Sequence, residues 1–187
     1  MKILVAFATV EGQTRKIARH IQKELVDAGH EVELFDISRK TSAVTFRDLD
    51  RIILAGSVHE RRHPQTFEVF LAAHRDELQT HNTLLLSVSL NAAFAEGREE
   101  AMEYVTELEM RTQFTPNAVA LVAGAVKTGD YDYFATQVLR HVVLRGHDYD
   151  PADGEHEFTD WTQLAATLSD FMTSEDRTAP AVLASRR

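Results

Sequence analysis

The sequence contains no cysteine. Disulfides, iron–sulfur ligation, thiol nucleophiles and CxxC zinc or redox sites are therefore excluded, and any redox chemistry needs a bound organic cofactor or a His and carboxylate metal site. Proline and glycine are sparse, with 4 and 8 in 187 residues. No run reaches the roughly 20 apolar residues of a membrane span. Positive charge is the minority sign: 20 Lys and Arg stand against 29 Asp and Glu, a net charge of -9. Neutralising nucleic-acid phosphates takes a clustered basic surface, and no stretch here supplies one, so nonspecific nucleic-acid binding is disfavoured. Neither GxGxxG nor GxxxxGK[ST] follows any apolar run, which excludes the Rossmann fingerprint and the P-loop. The opening Met1-Lys2 and the apolar Ile3 to Val10 form no secretion signal, because Glu11-Gly12-Gln13 closes the run without a small-x-small cleavage site. The expectation is a cytoplasmic protein, at most peripheral on the inner face of a membrane.

What is present is alternation. Short apolar, β-branched runs recur at Ile3 to Ala8, Val32 to Phe35, Ile52 to Ala55, Leu84 to Val88 and Val119 to Ala123. Four are almost uninterrupted, as strands covered on both faces read, whereas Glu31-Val32-Glu33-Leu34-Phe35 alternates and suits a sheet edge. Between them lie helical stripes: Ile17, Ile21, Leu25 and Ala28; then Phe67, Phe70, Leu71, His74 and Leu78; then Met102, Val105 and Leu108. Gly29 stands where a left-handed C-cap residue is wanted. The last stripe, Trp161, Leu164, Ala165, Leu168, Phe171 and Met172, opens at Thr159 or Asp160 as N-cap. Strand and helix alternating, with crossovers long enough to bring the chain back in parallel, predict an α/β sheet with helices on both faces.

The length fits one domain. Its boundaries are read as residues 1–173, with a long connection at about 124–158 that holds a helix from Tyr131 to Arg145 and an acidic turn through Asp150-Pro151-Ala152-Asp153-Gly154. Connections of this size usually have a use. The polar stretch 174–187 reads as a flexible tail.

The segment Thr9-Val10-Glu11-Gly12-Gln13-Thr14 sits where the first strand ends and the first helix begins. Such a turn gathers backbone N–H groups and the positive end of a helix dipole, a ready site for phosphate. Charge-assisted hydrogen bonds at about 1.5–3 kcal/mol each outweigh a dipole term of about 0.3–1 kcal/mol, so hydroxyl and amide geometry would decide binding. Alternatively, Thr9 and Thr14 cap the helix and nothing more. Glu11 would repel a phosphate unless it turns away.

His59-Glu60-Arg61-Arg62-His63 matches the HExxH pattern of zinc peptidases, which works only on a helix, with both His on one face. Pro64 disfavours helix at His63, and the segment follows the third strand directly through Gly56-Ser57. The expectation is a loop and no metal site, leaving solvated charges or the lining of a ligand site. After the fourth strand comes Ser89-Leu90-Asn91-Ala92-Ala93-Phe94-Ala95-Glu96-Gly97. In a sheet of order 2-1-3-4-5, the loops after strands one, three and four meet at the topological switch point and form the ligand crevice. Phe94 would lie against a cofactor or plug the core; Ser89 and Asn91 would bond a ring edge or hold the turn.

Glu11-Gly12-Gln13-Thr14-Arg15, Gly56-Ser57, Ser87-Val88-Ser89-Leu90-Asn91, Ala123-Gly124-Ala125 and Thr159-Asp160-Trp161, within five alternating strands, together resemble the flavodoxin family. Within it the chain resembles the branch of quinone-dependent protoporphyrinogen IX dehydrogenases. The resemblance implies a flavodoxin-like doubly wound five-stranded parallel sheet of order 2-1-3-4-5. It also implies FMN, with its phosphate on Thr9, Val10, Glu11, Gly12, Gln13 and Thr14 and its ring between the loop that includes Ser57, Val58 and His59 and the loop that includes Ser89, Leu90, Asn91 and Phe94. Implied partners are protoporphyrinogen IX and a quinone, with membrane or respiratory-chain contact and a homo-oligomer left open. The alternative is an electron-transfer flavodoxin with no small substrate. No side chain stands out as acid or base; His59 and His63 are candidates for handling protons, because histidine changes charge around neutrality. The loop after the third strand lacks an aromatic residue to cover the ring.

Overall fold

The computed structural model describes residues 1–39, 43–126, 155–175 and 181–182. Five strands, β1 (Lys2–Ala8), β2 (Glu31–Asp36), β3 (Arg51–Ser57), β4 (Asn82–Ser89) and β5 (Ala118–Ala123), pair in parallel in the order β2-β1-β3-β4-β5. This is the order expected from the sequence. Within the connection after β5, β6 (Ala125–Val126) pairs antiparallel with β7 (His156–Glu157). A further strand, β8 (Ala181–Val182), adds to the β5 edge in parallel, within the stretch read from sequence as a tail. The expected helix from Tyr131 to Arg145 and the turn from Asp150 to Gly154 lie outside the described residues.

Each central strand feeds two cores, because successive side chains point to opposite faces. From β1, Ile3, Val5 and Phe7 pack with Ile17, Ile21 and Leu25 of α1 (Gln13–Asp27) on one face. Leu164, Leu168 and Phe171 of the closing helix Trp161–Thr173 join them. Leu4, Ala6 and Ala8 pack on the other face with Phe67 and Leu71 of α2 (Gln65–Ala73). Val105 and Leu108 of the long helix Arg98–Thr112 complete that core. Burying each large aliphatic side chain stabilises by about 1.5–3 kcal/mol, which is why both faces of β1, β3 and β4 are apolar. β2, at the edge, keeps Glu31 and Glu33 exposed.

The helix boundaries have local causes. Gly29 takes φ 86 and donates to Val26, closing α1 as expected. The stripe from Phe67 to Leu78 is not one helix: it breaks at His74, with φ -109, into α2 and a short α3 (Arg75–Leu78). There the imidazole packs against Phe70 and Phe46, with ring centroids at 4.9 and 5.1 Å. The helix Arg98–Thr112 is α4 and Trp161–Thr173 is α5. Asp160 caps α5, its Oδ1 accepting from the Gln163 N–H at 2.9 Å. An exposed cap of this kind is worth about 1 kcal/mol, so Asp160→Ala should lower unfolding free energy by about that amount in urea denaturation, with the m-value unchanged.

Candidate functional site

The C-terminal ends of β1, β3, β4 and β5 bring four segments together. The first is the turn Thr9 to Gln13. Gly12, at φ 95, is the residue before α1 and makes no side-chain cap. Its N–H goes to Thr9 Oγ1 at 2.9 Å, and the first bond of the helix runs from Lys16 N–H to Gly12 C=O at 3.1 Å. The N–H groups of Gln13, Thr14 and Arg15 therefore have no partner within the helix. The first turn carries no acidic side chain. Thr14 is fully buried, and its hydroxyl has no hydrogen-bond partner. Capping does not account for these groups, because the helix starts after Gly12 rather than at a threonine. A buried orphan hydroxyl beside free helical N–H groups suits a bound phosphate.

The second segment follows β3. Ser57 Oγ accepts from Val10 N–H at 3.3 Å, which ties this loop to the first. Glu11 lies beside His59, whose Nδ1 is 3.5 Å from its carboxylate. His59 and Arg62 exchange backbone hydrogen bonds at 2.9 and 3.0 Å around Glu60 and Arg61, both at positive φ, 47 and 65. Positive φ at both central positions is the type I′ pattern, in which glycine and asparagine prevail. A left-handed non-glycine residue costs about 1–2 kcal/mol, so other contacts must hold this turn. Arg61 pairs with Glu100, lies 3.8 Å from Glu103 and packs over the Tyr104 ring at 5.6 Å. Arg62 grips Glu68 through two bonds at 3.0 and 2.5 Å. The HExxH residues thus form a tight turn and not the helical face that zinc peptidases need.

Of the two histidine candidates, His59 is at the rim and His63 is inside. His63 is 2% exposed, with Nε2 3.1 Å from Ser87 Oγ, Nδ1 without a partner and its ring stacked on Phe67 at 5.9 Å. Gly56 makes room for this pair: a Cβ there would stand 2.6 Å from Phe67 and 3.0 Å from the imidazole. Burial lowers the His63 pKa to about 4, assisted by Arg111 and opposed by Glu68. It stays neutral near neutral pH and does not exchange protons at the rim.

The third segment follows β4 as two 3-10 turns, Asn91–Ala93 and Ala95–Gly97. Ser89 Oγ accepts from Ala92 N–H at 3.2 Å, and Asn91 Nδ2 donates to Glu100 and to the Tyr104 hydroxyl, each at 2.9 Å. Both side chains hold the loop itself. Leu90 is half-buried beside them, and Val58, also half-buried, donates its N–H to Val88 C=O at 2.7 Å. Phe94 meets Phe158 edge to face at 5.5 Å.

The fourth segment is β7 with Phe158 and Thr159, of which sequence reasoning named only Thr159, as a helix cap and as part of the flavodoxin resemblance. Glu157 accepts from Gln13 Nε2 at 2.5 Å and from Lys16 Nζ at 2.8 Å. Thr159 Oγ1 accepts from Gln13 at 2.9 Å and donates to Ala123 C=O at 2.7 Å. Partial burial works to raise the Glu157 pKa, but the hydrogen bonds from Lys16 and Gln13 outweigh it and leave the group below its ordinary value. Gln13 and Glu157 are 144 residues apart, a separation that no local pattern spans.

His63 makes stability pH-dependent. Because its folded pKa is below the unfolded value of 6.5, the unfolded chain takes the proton first as pH falls. Stability is full above about pH 6.5 and declines toward pH 4, by on the order of 3 kcal/mol. Urea unfolding of wild type and His63→Gln at about pH 7 and 4.5 should show the variant with the shallower decline; parallel declines would refute the assignment.

The chain is 26% identical over 166 residues to the protoporphyrinogen IX dehydrogenase [quinone] of Escherichia coli K12, covering 88% of this chain and 91% of the relative. Among solved structures, oxidised flavodoxin 1 from Bacillus cereus is 20% identical with a TM-score of 0.48, covering 66% of this chain and 85% of that one. A mutant flavodoxin from Pseudomonas aeruginosa is 16% identical with a TM-score of 0.48, covering 77% and 95%. The flavodoxin domain profile matches residues 4–152, most of the chain, and the protein belongs to the flavodoxin family.

Proposed function

We propose that this flavodoxin-family protein, an FMN protein, oxidises protoporphyrinogen IX to protoporphyrin IX in haem biosynthesis and passes the electrons to a quinone. The observation that carries this reading is the span of the match to the E. coli dehydrogenase, which includes nearly the whole of both chains and so extends past β5 into the connection before α5. FMN supplies the hydride- and electron-accepting ring. The chain supplies position. Thr9 braces Gly12, Gly12 turns the chain, and the N–H groups of Gln13 to Arg15 with the Thr14 hydroxyl hold the phosphate. Ser57, Val58 and His59 form one wall for the ring, and Ser89, Leu90, Asn91 and Phe94 the other. His59, 44% exposed in its side chain with Nδ1 3.5 Å from Glu11, is the histidine at the rim of the site.

Among the described residues, no helix is long and apolar enough to cross a membrane. In this reading residues 1–173 work as one FMN-binding domain in the cytoplasm, meeting the quinone at the membrane surface. An electron carrier is the second reading. It is favoured by the acidic α4, which presents Glu99 and Glu103 next to the β4 loop and would draw a basic redox partner.

Two measurements test these assignments. Purified protein should be bleached by protoporphyrinogen IX under anaerobic conditions and regain its colour on addition of a quinone; a carrier would show neither step at a useful rate. Replacing Gly12 by Val together with Thr14 by Ala should weaken FMN binding at least about 100-fold, since one charge-assisted contact and the left-handed turn that aims the N–H groups are lost while the cores are untouched. Unchanged flavin retention by that double variant would refute the phosphate site.

A further inference from the structure

Of the first three residues of α1, two have side chains tied toward opposite edges of the sheet. Arg15 reaches Asp36 at the end of β2, 3.0 Å away, and its guanidinium lies 5.9 Å from the centre of the Phe7 ring. Gln13 reaches the other way: its Nε2 donates to Glu157 of β7 at 2.5 Å and to Thr159 Oγ1 at 2.9 Å. Thr14, between them, is fully buried, and its hydroxyl has no hydrogen-bond partner. The first turn of the helix is therefore held from both sides around a hydroxyl that the chain itself does not use.

The chemistry of the partners fixes the direction of each bond at Gln13. A carboxylate only accepts, so Glu157 must face the N–H end of the amide. The single proton of the Thr159 hydroxyl goes to Ala123 C=O at 2.7 Å, which leaves its oxygen to accept from Gln13 as well. Both protons of the Gln13 amide nitrogen are thus spent, and an amide turned the other way would set oxygen against oxygen. Gln13 and Thr159 are both buried, where a made hydrogen bond is strong and an unmade one costly. Lys16 completes the group, its Nζ 2.8 Å from each Glu157 oxygen. The two basic side chains near the start of α1, Arg15 and Lys16, are therefore each neutralised by a carboxylate of the chain. Recognition of a phosphate then falls to the N–H groups of Gln13, Thr14 and Arg15 and to the Thr14 hydroxyl, neutral donors whose strength falls steeply when their aim is lost.

We propose that the Gln13 side chain is a positioning group for the flavin phosphate. Gripped by Glu157 and Thr159, it fixes the first turn of α1 so that the three N–H groups converge on one anion, and it thereby sets the preference of the site for the phosphorylated flavin. This rests on the phosphate site proposed above. It also gives two residues at the far end of the connection after β5 a part in choosing the cofactor.

The experiment compares FMN with riboflavin, which has the same ring and sugar chain without the phosphate. Each is titrated into the full chain freed of flavin, and binding is followed by the flavin fluorescence. Wild type should bind FMN much more tightly than riboflavin. Gln13→Met keeps the length of the side chain and leaves Glu157 on Lys16 and Thr159 on Ala123, so it removes the clamp alone. It should raise the FMN Kd about tenfold, the scale of one weakened charge-assisted hydrogen bond. The riboflavin Kd should not move, which also certifies that the variant has folded. Glu157→Gln, whose amide oxygen still accepts from Gln13, should bind FMN at least as tightly as wild type, because the clamp stays while a negative charge near the phosphate is removed. An FMN Kd unchanged in Gln13→Met, or FMN and riboflavin weakened together, would overturn the clamp and leave the phosphate site standing. A wild-type chain that binds riboflavin as tightly as FMN would overturn the phosphate site, and the clamp with it.

Discussion

The left-handed turn at Gly12 is the constraint on which the rest of the site depends. β1 is buried on both faces, so the chain must leave the sheet abruptly and α1 must start at once to cover it. A residue at φ 95 does this without strain only if it lacks a β-carbon. Because α1 starts after Gly12 and its first bond runs from Lys16 N–H to Gly12 C=O, the N–H groups of Gln13, Thr14 and Arg15 stay outside the helix ladder and beside the buried Thr14 hydroxyl, while Gly12's own N–H goes to Thr9. The same geometry that ends a strand therefore leaves a set of donors with nothing of their own to bind.

Around that turn the rim closes on itself. Val10 reaches Ser57 and Glu11 reaches His59, joining the β1 and β3 segments. Arg61 crosses to Glu100 and Tyr104, which in turn hold Asn91, joining β3 to β4. Phe94 meets Phe158, and Glu157 and Thr159 return to Gln13. Single exposed ion pairs are weak, with medians of about 0–1 kcal/mol, but a closed circuit lets each hold its neighbours in register. It also accounts for two left-handed non-glycine residues at Glu60 and Arg61, whose strain the flanking pairs offset.

The sequence made most of the fold legible, because its main signals are local. Uninterrupted β-branched runs marked the central strands, the Glu31 to Phe35 alternation marked the edge, and Gly29 marked a helix end. The loop residues that face the site were legible by position, since the ends of β1, β3 and β4 must converge. What each loop side chain does was not legible. Asn91 reads equally as a ring ligand or a turn holder until Glu100 and Tyr104 are seen beside it. His63 reads as a rim group until Gly56 and Phe67 are seen to enclose it. Glu157 and Phe158 were not legible as site residues, and Thr159 read only as a helix cap, because their partners lie far away along the chain and a two-residue strand has no periodicity to detect. The break at His74 was missed for a related reason: one helical stripe is compatible with two helices that share a face.

The central claim is that the turn at Gly12 and the two loops beside it hold FMN. Its most direct measurement is the visible absorption spectrum of freshly purified protein, followed by acid release and identification of the cofactor. The account predicts a flavin band, with FMN and not FAD released in about equal amount to the chain. A colourless protein that takes up no added FMN would contradict it, leaving the parallel sheet intact and its crevice without the proposed guest.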